Sequence, residues 1–229
     1  MRKPAARVLY WGALALLCAT PSLFASVSMT LTGAGPNNLA GIYIGPYTAL
    51  IDGVPTQVIC DDFSADTYLN QTWSANLSTF SDLSGTKFGA AKETQYKQAA
   101  WLSLQLLNPT VSCPPGGNCA ADIQFAIWQV FDNPNPFNLL QSQGLITDLS
   151  NAKDWLAKAQ DASNYNSLNL SAFSFYTPTP LNSGSPQEFI VVKTPEASAL
   201  ALLGIDLSAV GGLFLLFRRR SLNRHSTQA

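Results

Sequence analysis

Nineteen residues near the C-terminus, Ala199 to Phe217 (ALALLGIDLSAVGGLFLLF), carry one charge, Asp206, and run straight into Arg218, Arg219 and Arg220. A helix needs roughly 20 apolar residues to cross a hydrocarbon layer of about 30 Å. Basic residues beside such a span stay on the cytoplasmic side. The pattern predicts a transmembrane helix over 199–217 oriented by the three arginines, with a cytoplasmic tail over 221–229. Everything N-terminal to it is then expected outside the cytoplasm. Asp206 works against this span, because a carboxylate at mid-helix costs about 2.5–3.5 kcal/mol on insertion scales. Protonation or a partner helix relieves that cost.

The other end supports the same direction. Arg2, Lys3 and Arg7 precede the uncharged run Val8–Leu17, and Pro21 and small residues up to Ala25 follow. A basic start, a short apolar core and a small-residue exit predict a secretory signal peptide over 1–25. Cys18 follows the bulky Leu17 and is expected to leave with that peptide. What remains, residues 26–193, is long enough for one domain with its own core.

The segment Thr194-Pro195-Glu196-Ala197, the apolar run and the arginine cluster together resemble a PEP-CTERM sorting tail over 194–220. The resemblance implies recognition at Pro195 and Glu196 by an exosortase-type sorting protease. It places the protein at the cell envelope, membrane-anchored or released to the cell surface or matrix. Ala197 stands where the family usually has a second proline, and the residues after Arg220 make a longer tail than usual.

Residues 26–193 hold six lysines, no arginine and twelve acids, a net charge of −6 that the basic ends conceal in the whole-chain value of −1. Such a surface excludes nucleic acid and other anionic polymers as natural partners.

Alternating apolar and polar residues predict strands at Ser28–Thr32, Leu39–Leu50 and Thr56–Cys60, with Asp52-Gly53 as a turn. Gln71–Phe80 reads as a further, more exposed strand. The period then lengthens. Ala91–Leu107 reads as a helix with Tyr96, Ala100, Leu104 and Leu107 on its apolar face. A second helix is expected to start at Asp122, with Ile123, Ile127, Val130 and Phe131 inward. Thr147 or Asp148 caps a third, in which Leu149, Ala152, Leu156 and Ala159 share a face. Thr177–Pro180 and Ser183–Pro186 read as loops, and Glu188–Val192 as a closing strand. The expected fold is α+β, a β-rich ectodomain with an inserted helical section.

Little conventional catalytic chemistry is on offer. The one histidine is His225, behind the predicted membrane helix, so histidine triads and most zinc sites are not expected in the exported part. The sequence carries no motif that calls for a cofactor or metal. Asp61, Asp62 and Asp66 form a carboxylate cluster of the kind usually found in solvated turns; read otherwise, it would suit a polysaccharide hydrolase. Cys113 and Cys119 bracket Pro-Pro-Gly-Gly-Asn, a short loop that a disulfide closes in an oxidising compartment. Cys60 is then left over, either as a packed buried thiol or as a reactive one.

Cys60-Asp61-Asp62-Phe63 after an apolar strand, and Ile123-Gln124-Phe125-Ala126-Ile127-Trp128 opening a helix, resemble the thioester (TQXA) domains of bacterial surface adhesins. The resemblance spans roughly residues 40–132, with Ile123 where the family has threonine. It implies an internal thioester with Cys60 giving the sulfur and Gln124 the acyl carbon, shielded by Trp128 and Phe63. Such a bond is opened once by an amine, so the protein is expected to be a covalent adhesin and not an enzyme. Its ligand would be an amine-bearing surface or an extracellular polysaccharide. An inert structural matrix protein with a buried thiol at Cys60 is the alternative expectation, and a secreted polysaccharide hydrolase the third.

Fusing Lys193–Ala229 to a soluble exported reporter is expected to anchor it in the membrane, and replacing Arg218–Arg220 with serine to weaken retention or orientation. Free solubility of the unaltered fusion, in a host lacking any sorting protease, contradicts the predicted span.

Overall fold

The computed structural model describes residues 26–131 and 134–193. The signal peptide, Pro195 and Glu196, the 199–217 span, Arg218–Arg220 and the tail lie outside the described residues. Among the described residues no helix is long and apolar enough to cross a membrane.

Eight strands form: β1 (Ser26–Gly33), β2 (Asn37–Leu39), β3 (Ile42–Ile44), β4 (Tyr47–Ile51), β5 (Val54–Cys60), β6 (Thr72–Ser78), β7 (Phe173–Pro178) and β8 (Phe189–Val192). Six of them close into a barrel in the order β1-β4-β5-β8-β7-β6, every neighbour antiparallel. Closure leaves the barrel itself without an open edge. Between β6 and β7 the chain makes α1 (Glu93–Leu107), α2 (Cys119–Phe131), α3 (Phe137–Ser142), α4 (Ile146–Gln160) and α5 (Ala162–Tyr165). The architecture is α+β with the helical section inserted into a β-rich frame.

The expected turn at Asp52-Gly53 joins β4 to β5. Both residues have positive φ, 47° and 82°, as a two-residue hairpin turn requires. The Asp52 carboxylate also accepts the Ser28 amide at 2.8 Å, tying the turn to β1.

Leu39–Leu50, expected as one strand, is broken twice. Ala40 and Gly41 turn at φ 54° and 79°, making the small β2–β3 hairpin. Gly45-Pro46 then separates β3 from β4, since proline donates no hydrogen bond to a ladder. Phe173–Pro178, of which Thr177 and Pro178 were expected in a loop, is instead the fully buried β7. Pro178 pairs with Ala75 at the strand's end, where its missing N–H matters least. α3 and α5 are short additions that periodicity does not reveal. α2 starts at Cys119, not Asp122. In α1 Leu104 and Leu107 are only half-buried, and Ala99, Leu102 and Leu106 take the core positions instead.

Alternation along the strands sorts side chains into two cores. Val58 and Cys60 of β5, with Phe189 and Val191 of β8, join Met29, Ala49, Ala75 and Tyr176. That cluster draws on all six barrel strands, so it fills the barrel interior. Ile59 and Ile190, one residue out of step, face the other way and meet Phe173, Phe175, Tyr96, Leu102 and Trp155 under the helices. α2 belongs to both: Phe125 and Trp128 join the first cluster, Ile123, Ala126 and Ile127 the second. Its residues Ala121 to Trp128 are buried without interruption, as expected of a helix enclosed on every side.

The loop before α2 is pinned covalently. Cys113 and Cys119 form a disulfide with Cα atoms 5.7 Å apart. Asn118 caps the helix, its Oδ1 accepting the Ala121 amide at 3.3 Å. The loop's other anchor is Asp148 of α4, whose Oδ1 accepts the Asn118 amide at 3.0 Å.

Replacing Cys113 and Cys119 together with serine is expected to cost about 2 kcal/mol of stability, the loop-closure value for so small a ring. Chemical denaturation of the exported protein measures it, and an unchanged midpoint contradicts the role assigned to the bridge.

Candidate functional site

Cys60 is the last residue of β5, and Gln124 sits in the second turn of α2. These elements are far apart in sequence, yet the Gln124 Nε2 donates to the Cys60 carbonyl oxygen at 2.7 Å. Both residues are fully buried. Cys60 is the free cysteine among the described residues, and the two sequence-predicted partners are side by side.

The thiol is held in a short turn. Its Sγ donates to the Asp62 carbonyl at 3.1 Å and accepts the Asp62 amide at 3.4 Å. Burial pushes the thiol well above its ordinary pKa, and the Asp62 and Asp61 carboxylates push it further. The Trp128 indole and the Asp62 backbone oppose this without reversing it. Cys60 is therefore a neutral thiol, shut away from solvent.

The Gln124 carbonyl oxygen, Oε1, is buried and accepts no hydrogen bond. An orphaned amide oxygen costs about 1–3 kcal/mol. It points at Gly45, where a Cβ would stand only 2.7 Å from it. A bare α-carbon is what makes room for the side chain. The sequence signal for this was the Gly-Pro pair, read there as part of a strand. Aromatic rings seal the pair: Phe63 lies 5.1 Å from Trp128 and 6.2 Å from Phe125, and Phe125 lies 5.1 Å from Trp128. Trp128, one turn beyond Gln124, also forms part of the wall of a cleft of about 320 Å³.

The carboxylate cluster is not a solvated turn. Asp61 and Asp62 are fully buried, and only Asp66 is exposed. Asp62 Oδ1 accepts from the Ser64 amide and hydroxyl at 2.9 and 2.7 Å, while Oδ2 pairs with the Lys87 ammonium. Gln187 Nε2 donates to the Asp62 carbonyl at 2.9 Å. These bonds fix the segment following Cys60.

Asp61 faces Glu188, a residue read from the sequence only as a strand start. Glu188 accepts from the Tyr96 hydroxyl at 2.6 Å, the Lys87 amide at 2.7 Å and the Thr177 hydroxyl. Asp61 has no such donors. Burial, then the Glu188 and Asp62 charges, raise its pKa well above the carboxylate range. Glu188 is raised by burial too, but its donors offset part of the effect. Of the two, Asp61 is raised the further and holds its proton the more tightly. Sealed from solvent, this pair does not face a cleft in the way that acid and base carboxylates of a hydrolase do.

No family model matches the sequence, and no curated protein matches it. Among solved structures, the N-terminal thioester domain of the fibronectin-binding protein SfbI from Streptococcus pyogenes is similar, at 11% identity and a TM-score of 0.46. The match covers 77% of this chain and 97% of that one.

A carboxyl whose folded pKa is raised stabilises the fold at low pH and loses that contribution as pH climbs past its unfolded value near 4. Asp61→Asn, which stays neutral, is expected to remove much of the decline in Tm between pH 4 and pH 8. Thermal unfolding of both proteins across that range tests it, and parallel curves refute a protonated Asp61.

Proposed function

We propose that the protein is an exported, envelope-anchored surface protein that attaches covalently to its target through an internal thioester between Cys60 and Gln124. The observation that carries the reading is the 2.7 Å hydrogen bond from Gln124 Nε2 to the backbone carbonyl of Cys60, which sets the two fully buried residues side by side. Bond formation joins the Cys60 sulfur to the Gln124 acyl carbon and expels the side-chain nitrogen as ammonia, taking the thiol proton with it. The product relieves one local cost: the orphaned carbonyl becomes that of a thioester, a weaker acceptor.

Attack by an amine then breaks the carbon–sulfur bond. The amine becomes a secondary amide on Gln124, and its proton passes to the sulfur. Burial favours that neutral thiol over a thiolate. The ring enclosure of Phe63, Phe125 and Trp128 slows hydrolysis by excluding water. Amines suit the site better than hydroxyls, because no histidine occurs in residues 26–193 to act as a base for an alcohol. The reaction occurs once per molecule, which makes the protein a covalent adhesive. Its membrane helix and sorting tail would hold it at the envelope for an exosortase-type protease.

A second reading has its own observation. Cys60 Sγ already has two backbone partners in Asp62, as a packed thiol in an inert structural protein would.

Intact-mass measurement separates the two. The thioester lowers the mass by one ammonia beyond the loss from the disulfide, and Cys60→Ala and Gln124→Ala each abolish that loss. Methylamine is expected to add to Gln124 and free the Cys60 thiol for labelling. A mass equal to that of the disulfide-bonded sequence, with no methylamine adduct, leaves Cys60 a packed thiol.

A further inference from the structure

We propose that the nucleophile this site is built to capture is the free amine of an amino-sugar polymer, a partly de-N-acetylated hexosamine chain; the proposal rests on the thioester reading above. The cleft is lined by Trp128, one turn beyond Gln124 on α2. Its outer rim carries Tyr43, 57% exposed, Tyr68, 69% exposed, and Leu69, 51% exposed. Tyr68 and Asp66 also border a second cleft of about 460 Å³, so the two form one groove that shares these residues.

The halves differ in chemistry. The half against Trp128 is largely aromatic and aliphatic. The other is lined by hydroxyls and an amide, among them Ser64, Ser183, Ser185 and Asn182. Exposed rings beside a row of small polar groups suit a pyranose chain, whose C–H faces stack on aromatics while its hydroxyls meet polar side chains. Tyrosines left this exposed are not required by the core, because the ring faces they present lie outside both clusters.

Charge selects among glycans. Asp66 is the carboxylate shared by both halves. The lysine in the groove, Lys87, is neutralised by its pairing with Asp62. With twelve acids against six lysines in residues 26–193, the domain repels acidic polysaccharides and attracts cationic ones. A hexosamine chain with free amines is cationic, and its amine is also the better nucleophile. Electron-withdrawing ring oxygens make it less basic than a lysine amine, whose pKa is about 10.4. More of it is therefore unprotonated at neutral pH, which matters in a site without a histidine base. The transfer balances as written above: the sugar amine forms an amide with the Gln124 acyl carbon, and Cys60 leaves as the thiol.

The experiment incubates the full-length protein with chitosan oligosaccharide, its fully N-acetylated counterpart, methylamine or a lysine-containing peptide, and follows adducts by intact mass. At equal amine concentration, chitosan oligosaccharide is expected to react about tenfold faster than methylamine, through its raised local concentration at the bond. Tyr68→Ala and Tyr43→Ala are expected to bring the ratio of the two rates towards one. The N-acetylated oligomer is expected to form no adduct but to slow the chitosan reaction by competition. Methylamine addition with no advantage for the oligosaccharide overturns the glycan assignment while the thioester stands. A lysine peptide that reacts faster, in a Tyr68-dependent way, overturns it in favour of a protein ligand. Absence of any adduct, methylamine included, overturns the thioester and this transfer with it.

Discussion

The enclosure of α2 is the constraint on which the rest depends. Eight consecutive residues of that helix are buried, so it has no solvent face and must satisfy two surfaces at once. It does so because neighbouring positions around the helix serve different cores, with Phe125 and Trp128 turned to the barrel interior and Ile123 and Ile127 to the helical layer. A polar residue in such a helix is costly unless it has a partner. Two such residues lie there: Asp122, whose Oδ2 accepts from the Asn151 amide at 3.1 Å, and Gln124, whose Nε2 donates to the Cys60 carbonyl.

The surroundings of that link are arranged to hold still. The disulfide and the Asn118 cap fix the start of α2. Asp62, bound by Ser64, Lys87 and Gln187, fixes the chain just beyond Cys60. Asp61 and Glu188 face each other beside this segment, and burial with mutual repulsion holds the Asp61 carboxyl well above the usual carboxylate range. Preorganisation of this kind leaves the Cys60 sulfur and the Gln124 side chain little freedom, as the proposed bond between them would require.

Exposure changes sharply across Trp128. Inside it, Cys60 and Gln124 have no contact with solvent; outside it, Tyr43 and Tyr68 are among the most exposed apolar side chains of the domain. Trp128 belongs to both settings: it packs with Phe63 and Phe125 and also lines the groove that holds Tyr43 and Tyr68. On the proposed reading, a ligand held in the groove would be brought close to Cys60 and Gln124, raising its local concentration at the bond.

The sequence by itself determined the local features. Asp52-Gly53 turned where expected because few residue pairs accept two positive φ values, and the small ring between Cys113 and Cys119 closed because its glycines and prolines bend the chain. The amphipathic α4 was legible because its period is set by backbone geometry, and β5 and β8 because each is a short apolar run of strand length. Cys60 and Gln124 stood out as an unpaired thiol and a glutamine in an apolar helix. Only the tertiary structure decided the rest. It placed Asp61 and Asp62 inside, since short-range sequence does not tell a solvated turn from one that β8 and Lys87 cover. It gave Glu188 its partners, drawn from four separate segments, and made Phe173–Pro178 a barrel strand, because a run buried on both faces lacks the alternation that marks a strand. It also aimed Gln124 at Gly45 and Cys60, a meeting of chain positions far apart that follows from barrel closure and no local rule.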